Sequence, residues 1–193
     1  MNELLLTLAS ILIPVAGCIV LYRYFVTRNQ RRLAARAAAA VELGWDFGDP
    51  DLELAAVAVD IFGYRGTAHV TFTGEHNGHS FRLFDYSYVS ASGSGGRVDE
   101  VHLVVVDLPV ALPTLAVDQR PDDGFSSAVL HPQMVEWMAQ YPEVTWQIEN
   151  ELLISPGRDY WTIVQALEKL DCLTGVVDRL PPFVLTDYGR PTD

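Results

Sequence analysis

Apolar positions in this chain form one unbroken run and then a series of short periodic ones, and that change of pattern divides the sequence. From Leu4 to Tyr22 (LLLTLASILIPVAGCIVLY), 19 consecutive positions carry no charge. At about 1.5 Å per residue, a helix of that length nearly crosses a hydrocarbon core of about 30 Å. The pattern predicts a transmembrane helix within residues 1–27, bent at Pro14, which a membrane helix tolerates better than a soluble one. Asn29 to Leu43 (NQRRLAARAAAAVEL) is built from strong helix formers, and Gly44 stands at the C-terminal cap position. The membrane helix is therefore expected to continue as a stalk over residues 28–44.

Residues 45–193 alternate between strand and helix patterns and predict an α+β domain: a mostly antiparallel sheet with two or three helices packed on it. Asn77-Gly78, between two alternating runs, is the preferred type I′ hairpin turn, because both central residues need positive φ. That turn pairs His76 with His79, Phe72 with Leu83, and residue 69 with residue 86. One face then carries Phe72, Phe81, Leu83 and Asp85, and the other Arg82, Phe84 and Tyr86. Ser90 to Gly96 reads as a loop, and Val101 to Val106 as a central strand apolar on both faces. Pro109 and Pro113 are expected to break it before a short strand at 115–117. A helix is predicted over 132–141, with proline in its first turn and Pro142 stopping it. Residues 144–148 and 152–154 suggest a second hairpin turning at Glu149-Asn150-Glu151 and ending at Pro156-Gly157. Asp159 is the expected cap of a helix to about Leu173, with Ile163, Val164, Leu167 and Leu170 at helical spacing. Within 45–66 the pattern supports only a short helix near 51–57.

Charge adds direction to this picture. Residues 1–41 hold five arginines (Arg23, Arg28, Arg31, Arg32 and Arg36) against Glu3, a net of +4, so the overall −12 leaves −16 on residues 42–193. Arginines on the C-terminal side of the apolar run place that side in the cytoplasm by the positive-inside bias. The chain then reads as a single-pass protein of the inner (plasma) membrane. An acidic body excludes nucleic acid as a partner, since phosphate binding needs cations. The bilayer is the expected partner of residues 4–26, a protein partner at the membrane is a further one, and the alanine run of the stalk offers a surface for self-association. Val15-Ala16-Gly17-Cys18 has the form of a lipobox, so a second reading is an exported lipoprotein acylated at Cys18. Against it stand the apolar residues after Cys18 and the arginines that would have to be exported.

Several stretches together carry a resemblance. Gly44-Trp45, TGEHNGHSFRLFDYSY at residues 73–88, LVVVDLP, LPTLAV, LHPQM, VTWQIENELLISPG and the terminal LPPFVLTDYG follow a single N-terminal span and an Arg-rich stalk. In that order they resemble an uncharacterised family of actinobacterial single-pass membrane-anchored proteins. The resemblance covers most of the chain and implies its architecture; it implies no activity and no catalytic residues. The stretch from Val117 to His131 is shorter here than in that family, which implies a smaller sheet.

No catalytic constellation emerges from spacing, and no cofactor motif is present. The glycines of the Ser90 to Gly96 loop lead into a strand, not a helix, so they do not form a phosphate cradle. His76 and His79, paired across the turn, have Cβ atoms about 5 Å apart and are the candidate metal ligands of a metal-dependent hydrolase reading. Asp85 stands out as an acid on an apolar face. For an interaction module, the candidate contact surface is Phe84, Tyr86 and Tyr88 beside Arg82, because aromatic and arginine side chains dominate binding hot spots. The same aromatics are candidates for core under a covering helix.

Overall fold

The computed structural model describes residues 20–90 apart from 21, 25 and 29, together with 96–116, 124–158 and 160–190. The chain separates into two units, Met1–Ala39 and Ala40–Asp193. In the first, the described residues are helical, and helix α1 covers residues 30–42, reaching the start of the second unit. Among the described residues no helix is long and apolar enough to cross a membrane. Residues 1–19, which include most of the expected span and Cys18, lie outside the described residues, as does Asp159.

The second unit is an α+β domain. Its sheet is a five-stranded antiparallel meander in the order β1-β2-β3-β4-β5. The strands are β1 (Asp46–Gly48), β2 (Gly66–His76), β3 (His79–Ser90), β4 (Arg97–Ala116) and β5 (Gln147–Arg158). The helices are α2 (Leu52–Phe62), α3 (Gly124–Val129), α4 (Pro132–Met138), α5 (Ile163–Arg179) and α6 (Pro182–Asp187). Asn77 at φ 51° and Gly78 at φ 81° form the expected turn, and His76 faces His79. The pairing then slips: a bulge between Ala68 and Thr71 sets Ala68, not residue 69, opposite Tyr86.

Both prolines of β4 lie inside one continuous strand, against the expected break. Register shifts between Asp107 and Leu112, and again between Leu112 and Leu115, leave Pro109 and Pro113 where the ladder is interrupted and no N–H is required. The predicted second hairpin is likewise absent. Gln147 to Arg158 forms one strand along β4, and Asn150, at φ 54°, pairs with Leu112 between two register shifts whose extra residues lie on β4, instead of forming a turn.

The two faces are covered unequally. On one lie Phe72, Phe81, Leu83, Val104, Val106 and Leu153, under buried side chains from α3 to α6 such as Phe125, Met134, Leu170, Leu173 and Val184. On the other lie Phe84, Tyr86, Tyr88, Leu103, Val105 and Ile154, packed with Leu54 and Ala58 of α2. Thr162, not Asp159, caps α5: its hydroxyl accepts from the Gln165 amide while the Gln165 side chain accepts from the Thr162 amide.

Candidate functional site

The hairpin tip is docked on α5. His76 Nε2 lies 2.7 Å from Asp171 Oδ1, His79 Nε2 lies 2.9 Å from Asp178 Oδ1, and Asn77 donates to Thr174 Oγ1 at 3.2 Å. The two aspartates are seven residues apart on the helix, about 10 Å along its axis, so each imidazole has its own carboxylate. Sequence spacing alone made the two rings candidates for sharing an ion. Among the described residues no group of three or more His, Cys, Asp or Glu side chains is placed to hold a metal.

The stripe Phe84, Tyr86 and Tyr88 is core, which corrects its reading as a contact surface: the three are 0%, 2% and 6% exposed. Tyr86 OH donates to the Tyr64 carbonyl at 3.0 Å, and Tyr88 stacks on Tyr64 at 5.0 Å between ring centroids. Arg82 also turns inward, toward α2. Its Nη1 donates to Asp51 Oδ2 at 3.1 Å and Glu53 Oε2 at 3.4 Å, and its Nη2 donates to Asp107 Oδ1 at 2.8 Å. Asp51 is the N-cap of α2, accepting from the Glu53 and Leu54 amides, so Arg82 ties the start of that helix to the sheet. Burial alone would lower the Arg82 pKa; the charges and hydrogen bonds of Asp107 and Asp51 outweigh it and hold it above the ordinary arginine value. The arginines of the topology argument, Arg23, Arg28, Arg31, Arg32 and Arg36, lie on described helical residues of the first unit.

A second polar cluster forms beneath α5. Asp85 and His102 are cross-strand partners of β3 and β4, and His102 is opposite Gly157 of β5. Trp161, from the connection into α5, donates its indole N–H to Asp85 Oδ1 at 2.6 Å. From α5 itself, Lys169 brings Nζ to 3.2 Å from His102 Nε2 and donates to the Pro156 carbonyl at 3.0 Å. Glycine at 157 is what permits this approach, since a Cβ there would collide with the His102 ring and with Lys169 Nζ. Burial pushes the Lys169 pKa down to about 8. Cys172 on the same helix is inert by the same physics: burial, then Glu168, pushes its thiol up to about 12.

Sequence reasoning singled out Asp85, but it did not join it to His102 or Lys169. One signal was available: Lys169 is the only lysine in a chain whose 13 cationic side chains are otherwise all arginine. Arginine serves nearly every cationic role and keeps its proton; a lysine is needed where an amine must lose one.

No protein-family model, no curated protein and no solved structure matches this chain.

Proposed function

We propose that the chain is a single-pass plasma-membrane protein whose C-terminal α+β domain lies in the cytoplasm and acts as an interaction or scaffold module for a partner with a basic surface. The observation behind this reading is the charge division: +4 on residues 1–41 beside the apolar run, and −16 on residues 42–193. Opposite charge steers encounter and sets specificity, so an acidic body held at a membrane selects a cationic face. Tyr22 and Tyr24 are exposed on the helical segment, as side chains at a membrane interface would be. The resemblance to membrane-anchored actinobacterial proteins agrees with this arrangement, and self-association through the alanine-rich stalk belongs to the same proposal. With the aromatic stripe assigned to the core, recognition passes to acidic side chains on the surface.

Paired fusions at the C-terminus test the topology: a fluorescent protein should be bright and alkaline phosphatase inactive. Active phosphatase would overturn it and return Cys18 to consideration as an acylation site. Purification of the full chain from membranes at low and high salt tests the interaction. A partner rich in exposed Lys and Arg, retained at low salt and lost at high salt, is expected; retention that ignores salt would refute an electrostatic module.

A further inference from the structure

Three features of the cluster beneath α5 are not accounted for by structural packing. The first is the chain's only lysine, half-buried with its amine on a histidine nitrogen and a backbone carbonyl. Its pKa has no carboxylate to support it; desolvation alone acts on it. The second is His102, buried and within 3.2 Å of that amine, a base that can take a proton from it. The third is Ser155, which is 0% exposed and whose Oγ makes no hydrogen bond among the described residues. Ser155 and Gly157 are alternate residues of β5, opposite Val104 and His102 of β4, so the free hydroxyl is on the same face of the sheet as His102. A buried hydroxyl without a partner costs about 1–3 kcal/mol, and an unused donor on the sheet face that carries His102 fits the oxygen of a bound molecule.

We propose that this seam between α5 and the β4–β5 pair binds a small aldehyde or ketone, which Lys169 captures as an imine. The neutral Lys169 Nζ attacks the carbonyl carbon while Ser155 Oγ–H donates to the carbonyl oxygen. His102 Nε2 takes the proton released by nitrogen as the carbinolamine forms. The same imidazole passes that proton to the carbinolamine oxygen, making the hydroxyl, and then relays the second nitrogen proton to that hydroxyl as it departs, so that amine and carbonyl compound give imine and one water, with no oxidant or reductant. At pH 7.5 an amine with a pKa near 8 is neutral in about a quarter of molecules, against about one in a thousand for an ordinary lysine. The site is independent of the anchored-module reading and stands or falls separately from it.

A single lysine makes the test clean. The full chain, in detergent, is treated at pH 7.5 with acetaldehyde and cyanoborohydride, and ethylation of Lys169 is followed by peptide mass spectrometry in folded and guanidinium-unfolded protein. Lys169 should react at least about tenfold faster in the folded chain, although burial alone would protect it. Equal or slower labelling on folding overturns the proposal. Ser155→Ala supplies the second arm, because removing an unsatisfied hydroxyl leaves the fold intact. Its melting temperature should hold while labelling falls several-fold; unchanged labelling would overturn the site as drawn. His102→Gln, which keeps a hydrogen-bonding group but loses the base, should slow labelling in the same way.

Discussion

Arg82 and Lys169 each join a helix to one face of the same sheet, and they do so with opposite electrostatics. Arg82 reaches from β3 to the N-cap of α2 and meets Asp51, Glu53 and Asp107, so its charge is offset where it lies. Lys169 reaches from α5 to the sheet and meets an imidazole and a carbonyl, neither of which carries a negative charge. The first pKa rises and the second falls. An ion pair that only fastens a helix is built like the first. A cation held without a counter-charge costs stability, and a protein that retains one gains an amine able to be neutral near pH 7.

The face held by Arg82 depends on one helix of 11 residues, so its aromatics should be the most sensitive part of the fold. Tyr86→Ala is expected to cost about 4 kcal/mol in urea unfolding of the full chain, as truncating a buried aromatic does. Tyr86→Phe should cost only about 1 kcal/mol, the net value of the hydrogen bond to the Tyr64 carbonyl. If both changes proved nearly neutral, α2 would not cover this face and the stripe would return as a surface.

Lys169→Met tests the other half of the comparison. The folded amine has a pKa of about 8 and the unfolded one is near 10.5, so between those values the unfolded chain binds more protons and the stability of the wild type rises with pH. Below pH 8 the buried charge is a burden, and the methionine variant should be the more stable by up to about 3 kcal/mol, less the loss of the Pro156 contact. That advantage should shrink steadily as pH rises to 10.5. Denaturation curves of the two proteins that stay parallel from pH 7.5 to 10.5 would mean the amine is solvated.

Much of the domain was legible because local chemistry decided it. Asn77-Gly78 requires positive φ and fixed both the turn and the first pairs beyond it, and the Pro132 helix follows from its proline start. The errors came where a local signal was real and was used differently. Asn150 does adopt a left-handed conformation, yet the long partner strand β4 absorbs it as a bulge. Pro109 and Pro113 do interrupt the ladder, yet tertiary pairing resumes beyond them. The site was less legible than the fold, because Asp85, His102, Ser155, Trp161 and Lys169 come from three strands, a connection and a helix. Only the register between strands shows that they meet, and no spacing in the sequence encodes it.

Exchanging the chemistry of the first cation gives the smallest expected effect and the finest test of the contrast. Guanidinium Nη1 and Nη2 of Arg82 point to carboxylates on opposite sides, Asp51 and Glu53 of the α2 start and Asp107 of β4, while among the described residues Nε has no partner. In Arg82→Lys the charge stays but the planar fork is lost, so one ammonium cannot satisfy both directions at the same geometry. Electrostatic attraction to three nearby carboxylates persists, which limits the loss to about 1 kcal/mol, with the N-cap of α2 loosened. Amide hydrogen exchange should therefore quicken at Glu53 and Leu54, the two amides that Asp51 caps, more than at the centre of α2. Unlike Lys169, a lysine at 82 should show no rising stability between pH 8 and 9, because its carboxylate neighbours keep it charged there. A pH dependence resembling that of Lys169 would mean that burial, and not the absence of counter-charge, sets the difference between the two faces.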